Sequence, residues 1–351
     1  MSNKNIDYTS IFKAFAVDGD PLSFTPCKIG LINTTYFVKT ENSEYVLQRI
    51  NTNVFKKPWE VMANYAAVTE HLQKKNIPTL HLVPTKDGKN FYECEHGFFR
   101  ITIREPGETF NSATPELLER GGEAYGQFSS ELADFDASLL FETIPNFHNT
   151  KSRVEALQKA IETAENERLA NAADTIKRCL MYASQGGYLV SLMEQGELPL
   201  RVVHNDTKIN NVLIGDQDVV LDLDTVMPGS ILFDFGDAIR SGASNLIEGD
   251  QNTDGFAVDA ERYEAFLRGF LRGTKGALTK TELKLLPFSA FVLTYEVAVR
   301  FLTDYLSGDT YFHTTYPGEN LVRAKGQLTL AENIFMRLDE LSKLSQKYIT
   351  E

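Results

Sequence analysis

The segment Arg201–Thr225, RVVHNDTKINNVLIGDQDVVLDLDT, restricts the possible folds of this chain more than any other. Two apolar runs, Val212–Ile214 and Val219–Leu221, flank the turn Gly215–Asp218, and this pattern predicts an antiparallel β-hairpin. Polar residues that do not suit a hydrophobic core stand just outside both runs. The segment therefore predicts a short hairpin with amide and carboxylate groups at its open end.

The order of these polar residues indicates chemistry. His204, Asp206 and Asn211 precede the first run, and Asp222 follows the second. If the two runs pair in register, Asn211 faces Asp222, and directly opposed Cβ atoms lie ~4.5–5.5 Å apart. Asp224 stands two residues beyond Asp222, so strand alternation predicts that it lies on the same face. Amide and carboxylate oxygens are thus expected to converge beside the loop that carries Asp206.

Such a set is typical of phosphoryl transfer. Mg2+ ions that bridge nucleotide phosphates require hard oxygen ligands, and a further carboxylate orients and deprotonates the attacking hydroxyl. We therefore predict Asn211 and Asp222 as Mg2+ ligands and Asp206 as the catalytic base, and we expect Asp224 to help hold a second metal ion or a substrate hydroxyl. His204 is predicted to shape the loop through hydrogen bonds. The alternative is a surface hairpin with acidic turns, but the ordered set disfavours it.

A second motif, LFDFGD at Leu232–Asp237, contains the letters that mark a metal-binding aspartate in protein kinases. Asp234 lies beyond Pro228-Gly229, outside the predicted hairpin, so by this geometry it does not face Asn211. We interpret Asp234, or Asp237, as a structural support that accepts backbone N–H groups of the catalytic loop.

The first hundred residues predict a small, mostly β region. Thr34–Thr40 and Glu44–Ile50 alternate in hydropathy around a short polar turn, which predicts a hairpin. Trp59–Lys75 has apolar residues at helical spacing. Two further strands are expected near Leu80–Thr85 and Gly97–Ile103.

From Thr114 onward the pattern is mainly helical. The fold class is therefore predicted as α+β, with a small lobe over 1–104 and a larger helical lobe over 105–351. Helices are expected over Ser152–Glu194, Ala260–Arg272, Lys280–Asp304 and Glu319–Ser345.

Charge and composition exclude several classes of protein. The formal net charge of -13 argues against binding to nucleic acid or to an anionic membrane. The N-terminus lacks the apolar region of a signal peptide, and no apolar run was expected to reach the ~20 residues that span a bilayer. Cys27, Cys94 and Cys179 suggest reduced thiols and neither a disulfide framework nor a zinc site. We expect a cytoplasmic monomer.

HNDTKINNVL followed by VVLDLDTVMPGSILFDFGDAIR resembles the aminoglycoside phosphotransferase and choline kinase superfamily. GLINTTYFV, FDASLLFETIPNFHNT, RFLTDYLSGDTYF and YPGENLVRAKGQ are similar to one branch, the bacterial N-acetylhexosamine 1-kinases, so the resemblance covers most of the chain. It implies a bilobal protein-kinase-like fold that binds ATP and Mg2+ between its lobes. It also implies transfer of the γ-phosphoryl group to the anomeric hydroxyl of N-acetylglucosamine or N-acetylgalactosamine.

The resemblance also implies roles for single residues. Asp206 matches the catalytic base, and Asn211 and Asp222 match the Mg2+ ligands. Arg300 and Tyr311 fall on positions that contact the sugar. The loop GLINTTYFV is similar to one that covers the nucleotide phosphates and reaches the sugar. Its candidate residues are Gly30, Asn33, Thr34 and Thr35 for nucleotide and Leu31 for sugar.

The chain departs from that family at several positions. Leu31 replaces a histidine that contacts the sugar, which puts the exact sugar in doubt. The segment Phe99–Glu108 lacks an expected tyrosine near Thr102, so adenine binding is expected to differ. Gln48 and Arg49 stand where kinases carry a lysine; Arg49 suits phosphate, and a solvated edge position suits it equally.

Alternatives remain open at this point. Glu296 and Asp304 are each four residues from Arg300, so a helical ion-pair ladder is a competing interpretation. Tyr311 is equally compatible with core packing. The chain is also compatible with another small-molecule kinase, acting on choline, homoserine or an aminoglycoside. A catalytically inactive binding protein on the same scaffold is the third possibility.

Overall fold

The computed structural model describes residues 6–27 and 32–349, which form two compact units. The first unit contains an antiparallel sheet, and the larger second unit is mostly helical, so the predicted α+β class is confirmed. The first unit runs to Glu108 and also includes Ala137–Pro145 and Leu213–Met227. The second comprises Thr109–Asp136, Asn146–Val212 and the chain from Pro228 onward.

Ala137–Pro145 and Leu213–Met227 therefore belong to the first unit, whereas the single predicted boundary at 104/105 assigns both segments to the larger lobe. Hydrogen bonds within the first unit give the physical reason. The Asn64 side chain donates to the carbonyl oxygens of Phe141 and Val226, at 2.8 and 3.0 Å, and accepts the N–H of Phe141. The backbone of Glu108 also pairs with that of Ile214. One buried amide therefore ties both later segments to the first unit.

In the described residues, the sheet of the first unit has six strands in the order β1-β2-β3-β6-β4, with β5 also paired to β6. The predicted hairpin is confirmed as β2 and β3, and Thr40 closes its turn by accepting the N–H groups of Asn42 and Ser43. The short strand β5 was not predicted. The strands are β1 (Ser23–Cys27), β2 (Thr34–Lys39), β3 (Glu44–Ile50), β4 (Leu82–Val83), β5 (Tyr92–Cys94) and β6 (Gly97–Ile103).

Two helices, α1 (Tyr8–Lys13) and α2 (Pro58–Lys74), cover this sheet. Helix α2 begins with proline, whose fixed φ suits the first helical turn. Its buried residues Val61, Tyr65, Val68 and Leu72 recur at helical spacing. Each fully buried side chain of this kind contributes ~1.5–3 kcal/mol. The helix ends before Asn76, which has a φ of 57°.

The second unit contains ten helices in its described residues. The predicted helix Glu319–Ser345 is interrupted at Arg337, and the predicted helical stretch Ser152–Glu194 is divided among four helices. The ranges are α3 (Pro115–Glu131), α4 (Thr150–Thr163), α5 (Asn166–Met181), α6 (Ala183–Gly186), α7 (Tyr188–Glu194), α8 (Ile231–Gly242), α9 (Ala260–Thr274), α10 (Lys280–Leu306), α11 (Glu319–Met336) and α12 (Leu338–Ile349).

Glycines allow α3 and α9 to pack with their backbones in contact. A Cβ atom at Gly269 would lie 1.8 Å from the carbonyl oxygen of Glu119, and one at Gly122 would lie 2.4 Å from that of Phe266. No larger residue fits at either position without separating the helices. This contact holds α3 against the helical core of the second unit.

Helix α10 is the central helix of the second unit. Thr279 and Glu282 form a capping box at its start. With 27 residues and a mean hydropathy of 1.5 in its most apolar window, it is long and apolar enough to cross a membrane by length and composition alone. That window is 83% buried inside the protein, because α4, α8 and α11 pack around it. Burial in a core accounts for its composition.

The segment Arg201–Thr225 forms short strands and 3-10 turns. Strands β8 (Val212–Leu213) and β9 (Val219–Val220) pair, as the hairpin prediction requires. Asn211, however, ends the 3-10 turn Ile209–Asn211, and Asp222 has a left-handed φ of 54° before the 3-10 turn Leu223–Thr225. Neither residue lies in a strand. The alternation argument that put Asp222 and Asp224 on one face is therefore wrong.

Candidate active site

The loop after strand β7 (Arg201–Val203) holds Asp206 between two side chains of the same loop. The Lys208 ammonium lies 2.8 Å from Oδ1 of Asp206. The amide nitrogen of Asn211 donates to Oδ2 and to the carbonyl oxygen of Asp206, at 3.1 and 2.9 Å. Because the side-chain nitrogen of Asn211 makes both of these contacts, its side-chain oxygen is the atom suited to bind a cation.

Electrostatics favour the charged form of Asp206. Burial by itself raises the pKa of this carboxyl group, but the ammonium of Lys208 together with the charges of His204 and Arg240 outweighs burial, and the pKa lies below its ordinary value. The carboxylate in turn raises the pKa of Lys208. Asp206 is therefore an ionised, oriented acceptor at neutral pH. Lys208 was not predicted as a site residue, although it stands only two residues after Asp206 in the sequence.

Two aspartates of helix α8 accept backbone N–H groups of this loop. Asp234 accepts the N–H of His204 at 2.9 Å and that of Asn205 at 2.7 Å, and Asp237 accepts the N–H of Thr207 at 3.0 Å. Burial raises the pKa of Asp234 to about 6, so it is still charged at neutral pH. These are the contacts that the supporting role proposed for LFDFGD requires.

A buried ion pair holds the other side of the loop. His148 lies 2.8 Å from Oε1 of Glu296 and 3.0 Å from the carbonyl oxygen of Asn205, and Thr150 donates to the second oxygen of Glu296. Burial lowers the pKa of His148, but Glu296, the carbonyl oxygen of Asn205 and the charge of Asp237 together outweigh burial, and the pKa is raised. A protonated ring donates to both partners. Asn205 has a left-handed φ of 67°, a conformation that such contacts help to maintain.

The raised pKa of His148 predicts a pH dependence of stability. A histidine whose pKa is raised on folding stabilises the protein fully below its ordinary pKa of 6.5, and this contribution disappears as the pH rises through the folded value. The melting temperature of the wild type is therefore expected to fall over that range. The variant His148→Gln should show a smaller fall.

The exposed His313 provides the matched control, since His313→Gln removes a histidine without a buried partner. Melting temperatures measured by calorimetry from pH 6 to pH 9 check the prediction. Equal slopes for His148→Gln and the wild type would show that the ring is not protonated in the folded state.

Arg300 on α10 is not part of an ion-pair ladder. Its guanidinium lies 5.4 Å from the ring centroid of Phe147 and 5.6 Å from that of Phe312. Glu296 instead binds His148 and Thr150. Asp304 accepts the N–H groups of the loop after α10, at Thr310, Tyr311 and Phe312. The ladder interpretation is therefore wrong, and Asp304 holds the loop that carries Tyr311.

A second arginine lies near Arg300. The Nε atom of Arg153 is buried and finds no hydrogen-bond partner among the described residues. Burial and the charge of Arg300 lower the pKa of Arg153. Tyr311 is 62% exposed, so the core-packing interpretation is also wrong. We call Arg153, Arg300, Phe147 and Phe312 the arginine–aromatic cluster.

In the first unit, most of the predicted nucleotide-binding residues lie on the paired strands β2 and β3. Gln48 donates to Thr35 at 3.2 Å, and the exposed Thr34 begins β2. Arg49 crosses Gly97, where a Cβ atom would lie 2.8 Å from its Nε. Asn33 donates to Asp224 at 2.6 Å. Gly30 and Leu31 lie outside the described residues.

Asp224 is also the ion-pair partner of Arg100, a buried residue that was not predicted. Within 6–27 and 32–349, no three His, Cys, Asp or Glu side chains cluster to hold a metal ion. Mg2+ does not need such a cluster, because it often binds through one or two carboxylates together with substrate phosphates and water. The carboxylate of Asp222 and the side-chain carbonyl of Asn211 are each hard oxygen donors of the type that Mg2+ prefers.

Known proteins resemble this chain over most of its length. Residues 23–278 match the phosphotransferase enzyme family. A homoserine kinase of Methylobacillus flagellatus is 23% identical over 256 residues, 72% of this chain and 71% of the relative. An aminoglycoside phosphotransferase structure from Alicyclobacillus acidocaldarius has a TM-score of 0.67 at 13% identity, covering 99% of this chain and 98% of that one.

A structure of spectinomycin phosphotransferase in complex with ADP and spectinomycin has a TM-score of 0.59 at 12% identity. It covers 95% of this chain and 99% of that chain. At these identities the two structures show that the fold is shared.

Proposed function

The chain belongs to the phosphotransferase enzyme family, and we propose that it uses ATP and Mg2+ to phosphorylate the anomeric hydroxyl of an N-acetylhexosamine. N-acetylglucosamine and N-acetylgalactosamine are the proposed acceptors. Family membership supports the coarser activity, a small-molecule kinase with a hydroxyl acceptor. The choice of acceptor rests on the arginine–aromatic cluster together with the resemblance of the distal segments.

The cluster favours a neutral or anionic acceptor over a cationic one. Burial and, after it, the charge of Arg300 lower the pKa of Arg153, so two guanidinium groups lie close enough to repel each other. A cationic acceptor such as choline would add to this repulsion. A guanidinium offers fixed N–H donors, which suit an acetamido carbonyl and sugar hydroxyls. The exposed Tyr311 adds a phenol hydroxyl in the loop after α10, next to Phe312 of the cluster.

The cluster is connected to the catalytic loop within the second unit. Glu296 lies one turn before Arg300 on α10 and binds His148. His148 binds the backbone of Asn205, which directly precedes Asp206. A substrate held by Arg300 would therefore rest on the same framework that orients the proposed base.

We propose a direct in-line transfer without a phosphorylated enzyme. Asp206, held by Lys208 and Asn211, orients the acceptor hydroxyl and accepts its proton. Asn211 and Asp222 would supply oxygen ligands for Mg2+, whose role when bound is to neutralise phosphate charge. The depressed pKa of Asp206 favours orientation of the hydroxyl early in the reaction and proton transfer late.

One observation favours a second candidate. Homoserine carries a carboxylate that the guanidinium groups of Arg153 and Arg300 could bind, together with an ammonium group that they would repel. The similarity to a homoserine kinase, at 23% identity, points in the same direction. Phosphorylation of homoserine is therefore the alternative that the experiment must separate.

The test is ATP consumption with Mg2+ over N-acetylglucosamine, N-acetylgalactosamine, glucose, galactose, choline, homoserine and kanamycin. Phosphorus NMR locates the new phosphate, and Asp206→Asn serves as the blank. Turnover of an N-acetylhexosamine with phosphate on the anomeric oxygen supports the proposal. Turnover of homoserine alone establishes the alternative, and turnover of choline or kanamycin alone contradicts both.

The arginine–aromatic cluster predicts a specific loss in Arg300→Gln. A hydrogen bond to a charged group contributes ~1.5–3 kcal/mol, so kcat/KM for the acceptor should fall ~10–150-fold. The KM for ATP should not change. Arg272→Gln is the control, because Arg272 is a half-exposed arginine in surface ion pairs of α3 and α9. Equal acceptor kinetics in Arg300→Gln and the wild type would remove the basis for the proposed substrate class.

A further inference from the structure

Arg100 is a buried cation in the middle of the sheet of the first unit. It is 1% exposed and lies on β6, where the strand register pairs it directly with Gln48 on β3. Its Nε donates to Oε1 of Gln48 at 2.9 Å, and its guanidinium lies 4.6 Å from the ring centroid of Tyr65. Its Nη1 forms an ion pair with Oδ1 of Asp224.

The second oxygen of Asp224 is also engaged. Oδ2 accepts the side-chain N–H of Asn33 at 2.6 Å, and Oδ1 of Asn33 accepts the N–H of Asn51 at 3.0 Å. Asn33 lies within the segment GLINTTYFV that is predicted to cover the nucleotide phosphates. The hydrogen bond between Asn33 and Asp224 thus connects that segment to the 3-10 turn Leu223–Thr225, which directly follows Asp222.

Arg100 lies next to the position at which kinases carry a lysine and this chain has Gln48. Gln48 occupies the strand where that lysine was expected, and its cross-strand partner Arg100 supplies a cation instead. At 1% exposure, however, Arg100 is not in a position to contact a phosphate itself. A buried charge is costly unless it is paired and hydrogen-bonded, so the arrangement points to a role exerted through Asp224.

We propose that Arg100 and Asp224 are a positioning pair that orients Asn33 and Asp222 for the magnesium nucleotide, and that Asp224 is not itself a Mg2+ ligand. The inference rests on the proposed ATP-dependent activity. Both carboxylate oxygens of Asp224 accept protein donors, and Arg100 neutralises its charge. Asp222 has a left-handed backbone, which persists only where the surroundings determine it. The anchored Asp224, two residues away, provides such a restraint.

A double-mutant cycle on nucleotide affinity tests this pair. Isothermal titration of the Mg2+–ADP complex would be measured for Arg100→Met, for Asp224→Asn and for the double variant. No acceptor is present, so the result does not depend on which substrate the enzyme phosphorylates. A positioning pair predicts at least a tenfold loss in each single variant and little further loss in the double variant. Arg100→Lys should recover part of the affinity.

A direct metal role for Asp224 predicts a different pattern. The loss in Asp224→Asn would then add to that in Arg100→Met, and Arg100→Met alone would leave the Mg2+ concentration for half-maximal nucleotide binding unchanged. That outcome overturns the proposal. Unchanged affinity in both single variants overturns it as well.

The control is Arg178→Met, which breaks the ion pair with Glu332 between α5 and α11 in the second unit. It should lower the melting temperature without changing nucleotide affinity, and so separates positioning from general destabilisation. If Arg100→Met does not fold, Arg100→Lys and Asp224→Asn complete the cycle. Failure of the substrate panel with a non-additive cycle would reject the proposed acceptor and keep the pair.

Discussion

Replacement of Asp206 by asparagine is expected to lower turnover by ~10²–10⁴ and to leave nucleotide affinity close to that of the wild type. The substitution keeps the size of the side chain and an oxygen that can accept from Asn211. It removes the negative charge that pairs with Lys208 and the ability to accept a proton. Turnover and ADP affinity, measured on the same preparation, check both parts of this expectation.

The matched control is Asp216→Asn, in the exposed turn of the hairpin. It makes the same chemical change where no reaction is expected, so its turnover should equal that of the wild type. Near-wild-type turnover in Asp206→Asn would show that another group acts as the base. A large loss of nucleotide affinity would instead indicate that Asp206 holds the metal.

Replacement of Asp222 is expected to abolish Mg2+-dependent turnover. Its left-handed φ of 54° makes alanine a poor choice, because Ala at φ > 0 adds strain to the loss of the carboxylate. Asp222→Asn and Asp222→Gly both tolerate this backbone, and both remove the charge. Turnover measured against Mg2+ concentration should fall to background in both variants. Retained Mg2+-dependent turnover in either would contradict the proposed ligand.

Asp234→Ala provides the contrast between the two acidic motifs. It leaves the N–H groups of His204 and Asn205 without their acceptor, and each unsatisfied buried group costs ~1–3 kcal/mol. The melting temperature should therefore fall, while the remaining turnover keeps its dependence on Mg2+. A folded Asp234→Ala protein that no longer responds to Mg2+ would show that LFDFGD binds the metal.

Local elements were largely predictable from the sequence. The alternation in Thr34–Thr40 and Glu44–Ile50 gave the hairpin β2–β3, because side chains in a strand alternate between two faces. The periodicity of Trp59–Lys75 gave α2 to within one residue at each end. In each case the residues that produce the pattern are close neighbours in the sequence. The order of Asp206, Asn211 and Asp222 was likewise a local pattern.

The geometry at the site was not predictable in the same way. Strand alternation failed at Asp222, because one left-handed residue and a 3-10 turn replace the extended backbone. The helical spacing of Glu296, Arg300 and Asp304 suggested ion pairs along α10. Instead, both carboxylates bind groups outside that helix, on His148 and on the loop that carries Tyr311.

The sequence by itself determined the secondary structure around the site, the order of its polar residues and the family to which the chain belongs. Only the tertiary structure decided the partners of the buried charges. Arg100 meets Asp224 across 124 positions of sequence, and His148 meets Glu296 across 148. No local pattern encodes such pairs, because a buried charge takes whichever opposite charge the fold brings within contact.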